Sequence, residues 1–266
     1  MSRKGVGERA RALAHQECDA ILQGLSARRD RHDAVHAARK AIRRLRALLA
    51  LLEHSDLDAS RVDRVLQRLG DSLSRIRDAH VVSETAMVLK RNHPGLAWRT
   101  AVDALSHRRE HIMRSEMDGD PEFARRRRLL SQVDAWLTVQ AWDSLGAGTF
   151  ESGIARSTRR AAKAARRAAH DDDPESIHRW RRRIRRLRMQ QEALQVLGIS
   201  VRPRGGGHAS TTKALHKLSD QLGWQQDLRM LRNLVRPMAV WPGKDAVLKV
   251  LGDSLQAASV DAGRHG

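Results

Sequence analysis

The chain has 266 residues, and its 50 Lys and Arg against 31 Asp and Glu give a formal net charge of +19 with histidine neutral. A hydrophobic fraction of 41% excludes a wholly disordered chain, and aromatics at 3%, none of them tyrosine, leave a core of Leu, Ala, Val and Ile. The single cysteine, Cys18, excludes a disulfide framework and a cysteine-based zinc site. The longest apolar run, Ala47–Leu52, is too short to span a bilayer. Residues Met1 to Ala14 are charged and hold no apolar signal region. The expectation is a soluble protein of a reducing compartment such as the cytoplasm.

Taken in chain order, the sequence reads as helices throughout, with apolar residues at three- and four-residue spacing and six prolines in all. Breaks are expected near Ser26–Asp33, His54–Ser60, Asn92–Gly95, Asp118–Pro121, Gly146–Gly153, His170–Pro174, Gly198–Ser210 and Pro237–Gly243. At one break Asp171, Asp172 and Asp173 precede Pro174, so Asp173 can N-cap a helix that has Pro174 at its first position. Their charge also suits the positive end of the helix dipole.

A repeat organises the chain. His36-Ala-Ala-Arg39-Lys40-Ala-Ile42-Arg43-Arg44-Leu45-Arg46 returns as His178-Arg-Trp-Arg181-Arg182-Arg-Ile184-Arg185-Arg186-Leu187-Arg188, 142 residues later. Downstream, Leu73-Ser74-Arg75-Ile76-Arg77-Asp78 parallels Leu222-Gly223-Trp224-Gln225-Gln226-Asp227 at an offset of 149. The extra residues fit a loop at Arg202–Gly207. The chain therefore reads as one domain over residues 5–260 made of two related helical halves, about 5–145 and 150–260, and about four helices each would suit that length.

On a wheel, His36, Arg39, Lys40, Arg43, Arg44 and Arg46 fall on one side, with Ala38, Ile42, Leu45, Leu49 and Leu52 opposite. The second copy places His178, Arg181, Arg182, Arg185, Arg186 and Arg188 against Ile184, Leu187 and Leu194. These faces hold almost no acid of their own, so no i,i+4 ion pairs are expected to relieve them. A third basic stripe runs through Arg156, Arg159, Arg160, Lys163, Arg166 and Arg167 on an alanine-rich helix able to pack closely. The run Arg125–Arg128 points all round a helix and is a weaker candidate.

A net charge of this size costs the folded state self-repulsion, which a polyanion would relieve. Eight of the basic residues are lysine and the rest arginine. High-GC coding bias accounts for part of that ratio but not for the alignment of charges on faces. Arginine suits phosphate because its planar guanidinium donates two hydrogen bonds to one group. His36 and His178 stand at the centres of the two faces, either as structural imidazoles or as groups that protonate near a bound anion.

The duplicated motif resembles that of the CHAD family, a histidine-bearing α-helical domain with the pattern His-x-x-Arg-x-x-x-(Arg/Lys)-x-x-Arg occurring twice. His36, Arg39, Arg43 and Arg46 match the first copy, and His178, Arg181, Arg185 and Arg188 the second, with Glu192 at a following acidic position. Leu73–Asp78 and Leu222–Asp227 resemble the family's Leu-Gly-x-x-(Arg/Asn)-Asp element. Met189 stands where the family often has tyrosine, Ser74 replaces a glycine and Gln226 an Asn or Arg, and none of these removes a basic group. The resemblance implies an all-α fold of two four-helix bundles related by pseudo-two-fold symmetry. The motif helices would line a basic central cleft or pore. It also implies binding of inorganic polyphosphate and association with cytoplasmic polyphosphate granules. Some family members carry a triphosphate-tunnel hydrolase domain, for which this chain is too short.

The expected mechanism is electrostatic, a basic groove releasing counterions from a polyanion. Arg39, Arg43, Arg46, Arg181, Arg185 and Arg188 would meet phosphate oxygens, while Lys40, Arg44, Arg182 and Arg186 widen the field. Asp78 and Asp227 are expected to orient arginines or cap helices. A nucleic-acid binder is the main alternative, but it calls for aromatics interleaved with the charges. Only Trp180 lies inside a motif, and on the apolar side. An enzyme is the second: His32/His36 and His107/His111 are i,i+4 pairs without an evident acidic third metal ligand. Gly205–Gly207 lacks the Gly-Lys-Ser/Thr ending of a P-loop, and no carboxylate pair is evident. No catalysis, cofactor, metal or membrane contact is expected, and polyphosphate-metabolising enzymes are the natural protein partners.

Overall fold

The structure, a computed structural model, describes residues 5–57, 59–171, 173–200 and 212–263. These form ten α-helices: α1 (Val6–Ser26), α2 (Arg31–Leu51), α3 (Ala59–Ser72), α4 (Ser74–Asn92), α5 (Arg99–Gly119), α6 (Ala124–Thr138), α7 (Ala147–Asp171), α8 (Pro174–Val196), α9 (Thr212–Val235) and α10 (Lys244–Gly263). Short 3-10 turns lie at Pro121–Phe123 and Trp142–Ser144, and no strand occurs among the described residues. No described helix is long and apolar enough to cross a membrane. The Arg202–Gly207 loop lies outside the described residues.

Most breaks fall where the sequence places them. The α7–α8 break is capped as expected, with the Asp173 carboxylate accepting from the backbone N–H of Glu175 and of Ser176, both at 3.1 Å. Two differ. The break expected at Gly146–Gly153 comes earlier, because α7 begins at Ala147 and contains both Gly148 and Gly153. Gly153 is helical for a packing reason: a Cβ there would stand 2.2 Å from the Leu51 carbonyl oxygen, so α7 crosses the end of α2 with backbone against backbone. The second is a break at Leu73. There the Ser72 hydroxyl turns back to donate to the Leu69 carbonyl, 2.8 Å, and the Leu73 N–H donates to the Gly70 carbonyl, 3.2 Å.

The described residues divide into two compact units. One takes the residues up to Leu73 and Glu122–Lys217; the other takes Ser74–Pro121 and the residues from Leu218. These units do not follow the two halves of the sequence. Each half gives its His/Arg helix to the first unit and its aspartate-bearing element, at least from Ser74 or Leu222, to the second.

In the first unit α1 packs on α2 and α6, α2 on α3, α7 and α8, α3 on α6, and α7 on α8. The apolar side of α2 is buried through Val35, Ala38, Ile42, Leu45, Leu48 and Leu49, and that of α8 through Trp180, Ile184, Leu187 and Leu194, as the wheels require. Burying one Leu or Ile side chain contributes about 1.5–3 kcal/mol, against about 0–1 kcal/mol for an exposed ion pair. These apolar backs, not the surface charges, hold the helices. The second unit has its own core of Val82, Leu89, Trp98, Val102, Leu105, Leu228, Leu231, Val235, Trp241, Val247 and Leu251 on α4, α5, α9 and α10. The Trp241 indole N–H donates to the Ala97 carbonyl at 3.1 Å, so this large side chain is packed without leaving its donor unmet.

Substitutions at two helical glycines separate these effects. Gly153→Ala forces a methyl into the Leu51 carbonyl and is expected to cost about 1–3 kcal/mol in urea unfolding. Gly252→Ala in α10, where a Cβ meets nothing within 4 Å, is expected to stabilise by up to about 1 kcal/mol. A Gly153→Ala midpoint at or above that of the wild type would refute the close crossing of α7 over α2.

Candidate anion-binding site

All three basic stripes lie in the first unit, on three helices packed against one another: α2 on α8, α7 on α8 and α2 on α7. The sequence relates α2 to α8 by repetition; it is the packing that adds α7. The alanine-rich face of α7 makes this possible, since Ala161 and Ala164 are buried.

On α2, Lys40 is exposed and points its ammonium to water, while His36, Arg39 and Arg43 are half-buried. The Arg39 guanidinium donates to the Gly70 carbonyl near the end of α3. Arg44 forms a two-pronged bond to Glu17 on α1, 2.6 and 2.7 Å. Arg46 does the same with Asp63 on α3, 2.7 and 3.0 Å, and adds a bond of 3.3 Å to the Gln67 side-chain carbonyl. On α8, Arg181 is buried, Arg185 and Arg186 are half-buried and Arg182 is exposed, 3.7 Å from Glu175. Arg188 lies 3.6 Å from Glu192 and 3.3 Å from the His216 ring, which itself meets Glu192 at 2.8 Å. On α7, Arg159, Lys163 and Arg167 are exposed. Arg156 donates to the Leu51 carbonyl at the end of α2, 3.3 Å, and Arg160 pairs with Glu53 at 2.5 Å.

The expectation that no i,i+4 ion pair relieves the motif faces is corrected at Arg188, and the faces also receive carboxylates from other elements. Glu192, four residues on, meets Arg188 within α8, and Glu17, Asp63 and Glu53 come from α1, α3 and the turn after α2. Wheel analysis of one helix could not show them. The pairs fall at the flanks of the α2 face, where Arg44 and Arg46 meet neighbouring helices, while Lys40 near its centre stays open.

Like charges still crowd the place where the three helices meet. The Arg186 guanidinium is pushed below its ordinary value by burial, then by Arg46 and Arg183, with Asp63 and Glu53 opposing. Arg183 is lowered in the same way by burial, then by Arg160 and Arg182. A guanidinium remains protonated under such pressure, so the lowering records burial first and repulsion from neighbouring cations second, and an incoming anion would relieve the repulsion. His178 is pushed down by burial first, then by Arg181 and Arg182, with Glu175 opposing and Arg185 adding to the decrease. The hydrogen bond from Arg160 holds the Glu53 carboxyl below its usual range, despite its partial burial.

Arg183 was not among the sequence candidates. At roughly 140° from His178 it falls toward the apolar side of the wheel. The packing of α7 on α8 turns that edge into part of the charged surface; three consecutive arginines, Arg181 to Arg183, were the available signal. Within the Arg125–Arg128 run, Arg126 is structural: it donates to the Ser72 hydroxyl at 3.1 Å and the Ser72 carbonyl at 2.9 Å, and covers the Phe123 ring at 5.1 Å. In the second unit Arg77 donates to Asp78 at 3.0 Å and lies 3.6 Å from Asp227, so the repeated aspartates meet on one arginine, the orienting role expected of them.

The comparisons with known proteins agree with this architecture. The crystal structure of the CHAD domain from the plant Ricinus communis is similar at a TM-score of 0.62 and 21% identity, over 98% of this chain and 87% of that one. PptA from Streptomyces chartreusis is similar at 0.68 and 16% identity, over 98% of this chain and 99% of that one. Identities this low speak for the fold. No curated protein matches the chain. The CHAD domain model matches residues 11–236, and the family is associated in general with polyphosphate binding. With that model spanning most of its length, both His/Arg helices included, the chain belongs to the CHAD domain family.

Proposed function

We propose that this chain binds inorganic polyphosphate on the basic face of α2, α7 and α8, without turning it over, and that binding draws it to polyphosphate granules in the cytoplasm. The observation that carries this reading is the gathering of basic side chains where three basic helices pack, with Arg186 lowered by burial and then by Arg46 and Arg183, and Arg183 by burial and then by Arg160 and Arg182. A chain with about one charge on every phosphate offers many equivalent oxygens to such a surface. It needs no shape or base readout, and binding is favoured by counterion release. Arg182, Lys40, Arg159, Lys163 and Arg167 are exposed and first to meet it; Arg43, Arg181, Arg185 and Arg186 supply field from behind. An enzyme of polyphosphate metabolism is the protein partner this role suggests. The nucleic-acid reading has less support, because Trp180, the aromatic inside a motif, is only 8% exposed and packed in the core. No group of three or more His, Cys, Asp or Glu able to hold a metal occurs among the described residues.

The test is competition binding of labelled long-chain polyphosphate at about 150 mM salt. Arg39 and Arg181 have structural contacts or burial, so the variant uses exposed positions: Lys40→Gln, Arg159→Gln, Lys163→Gln and Arg182→Gln together. We expect at least a tenfold loss of affinity and a salt slope shallower by about 3, near 0.7 for each phosphate contact removed. Unchanged binding, or equal competition by single-stranded DNA at the same phosphate concentration, would reject the assignment.

His178 adds a pH dependence with a definite sign. Its free-state pKa lies below the ordinary 6.5. Bound phosphate favours the imidazolium and raises it, so binding takes up a proton and affinity rises as pH falls through the bound-state value toward the lower free-state one. His178→Gln should flatten the curve between about pH 5.5 and 8. Without ligand the linkage runs the other way: the unfolded chain holds the proton more tightly, so stability falls as pH drops from 6.5 through the lowered folded-state pKa.

A further inference from the structure

A second basic feature borders the first through Gln67, whose side-chain carbonyl accepts from Arg46 at 3.3 Å. Helices α3 and α6 enclose an open groove of about 710 Å³, within the size range of pockets that hold small organic ligands. Arg61, Arg64 and Arg68 line it from α3 at i, i+3 and i+7, on one helix face and over about 10 Å of axis. All three are exposed, and none takes part in an ion pair with a described residue. Asp71 is the one acid among the described residues that line the groove. Across from them stands Trp136 of α6, half-buried, with Gln132 one turn before it. The α6 backbone that carries Trp136 is anchored: the Trp136 carbonyl accepts from the Gln140 side chain at 3.2 Å, and the neighbouring Val133 and Leu137 are buried.

An inorganic phosphate chain has no use for an indole face. A ligand that satisfies both walls needs a flat π-system at one end and several negative charges at the other. We propose that the α3–α6 groove binds a nucleoside polyphosphate, its base stacked on Trp136, its phosphates on Arg61, Arg64 and Arg68, and its base edge within reach of the Gln132 amide. Stacking on an aromatic side chain tolerates any base, and the three guanidiniums form a row that can follow successive phosphates. The proposal does not rest on the polyphosphate reading, because none of these residues belongs to the α2, α7 and α8 face.

The experiment is calorimetric titration of the whole chain with ATP and, separately, with inorganic triphosphate, at about 150 mM salt. ATP should bind at least tenfold more tightly than triphosphate. Arg61→Gln, Arg64→Gln and Arg68→Gln together should weaken ATP at least tenfold and leave polyphosphate binding to the motif face within about twofold. Trp136→Leu should remove the preference for ATP over triphosphate, and Trp136→Phe should restore most of it, which a merely structural role for the indole would not do. Unfolding midpoints of each variant exclude loss of fold as the cause. Equal affinity for ATP and triphosphate would overturn the proposal. So would loss of ATP binding in the Lys40, Arg159, Lys163 and Arg182 variant but not in the groove variant, or a single-stranded oligonucleotide binding the groove far more tightly than ATP.

Discussion

Repulsion among arginines is the constraint around which the first unit is built. Like charges on packed helices repel, most where burial keeps water and salt from screening them, as at Arg186 and Arg183. A surface that brings α2, α7 and α8 together must meet that cost locally as well as through its core. It does so with carboxylates imported from other elements. Glu17, Asp63 and Glu53 each take a two-pronged guanidinium bond, to Arg44, Arg46 and Arg160. Arg39 and Arg156 spend their donors on the carbonyls of Gly70 and Leu51. Both carbonyls lie near helix C-termini, where a cation is favoured; the Gly70 oxygen accepts from the Leu73 N–H as well. The charged face is therefore fixed to the helices beneath it at several points.

The same economy explains how the duplicated sequence is used. Each half supplies one His/Arg helix to the first unit, where α2 and α8 pack on each other, and one aspartate element to the second, where Asp78 and Asp227 approach Arg77. The repeated segments thus meet across the chain, in addition to the more extensive packing of consecutive helices such as α1 on α2 and α7 on α8. Two copies of one basic helix give twice the charge density that either half holds alone, at the expense of the crowding recorded at Arg186 and Arg183.

Much of this was legible in the sequence, because helical periodicity and N-capping are local. The apolar backs of α2 and α8, the N-cap at Asp173 and the burial of Trp180 all follow from spacing within one helix. What was not legible depends on approach between segments far apart in the chain. The start of α7 was placed too late because Gly148 and Gly153 read as breakers. Yet Gly153 is the residue that lets α7 cross Leu51, and only the neighbour reveals it. The counterions of Arg44 and Arg46 were missed for the same reason, lying 27 and 17 residues away in the chain. Arg183 was lost to a wheel that treats α8 as an isolated cylinder.

The paired and the open cations do different work on the proposed reading. Arg44 and Arg46, held in two-pronged geometry, cannot turn to a ligand without leaving Glu17 or Asp63 behind, and the Glu17 side chain is only 10% exposed. Stranding the Glu17 carboxylate that far from water is costly, whereas Asp63, 37% exposed, can be hydrated if Arg46 leaves it. Arg44 in particular shapes the field and leaves contact to the exposed side chains around it: Lys40, Arg159, Lys163, Arg167 and, beside Glu175, Arg182. Flexible cations over a fixed positive background suit a ligand whose charges repeat along its length and whose register against the protein need not be unique. A ligand with one distinctive end asks for the opposite, an aromatic beside a short row of cations, and that combination is found in the groove between α3 and α6, whose arginines and tryptophan lie outside the three motif helices.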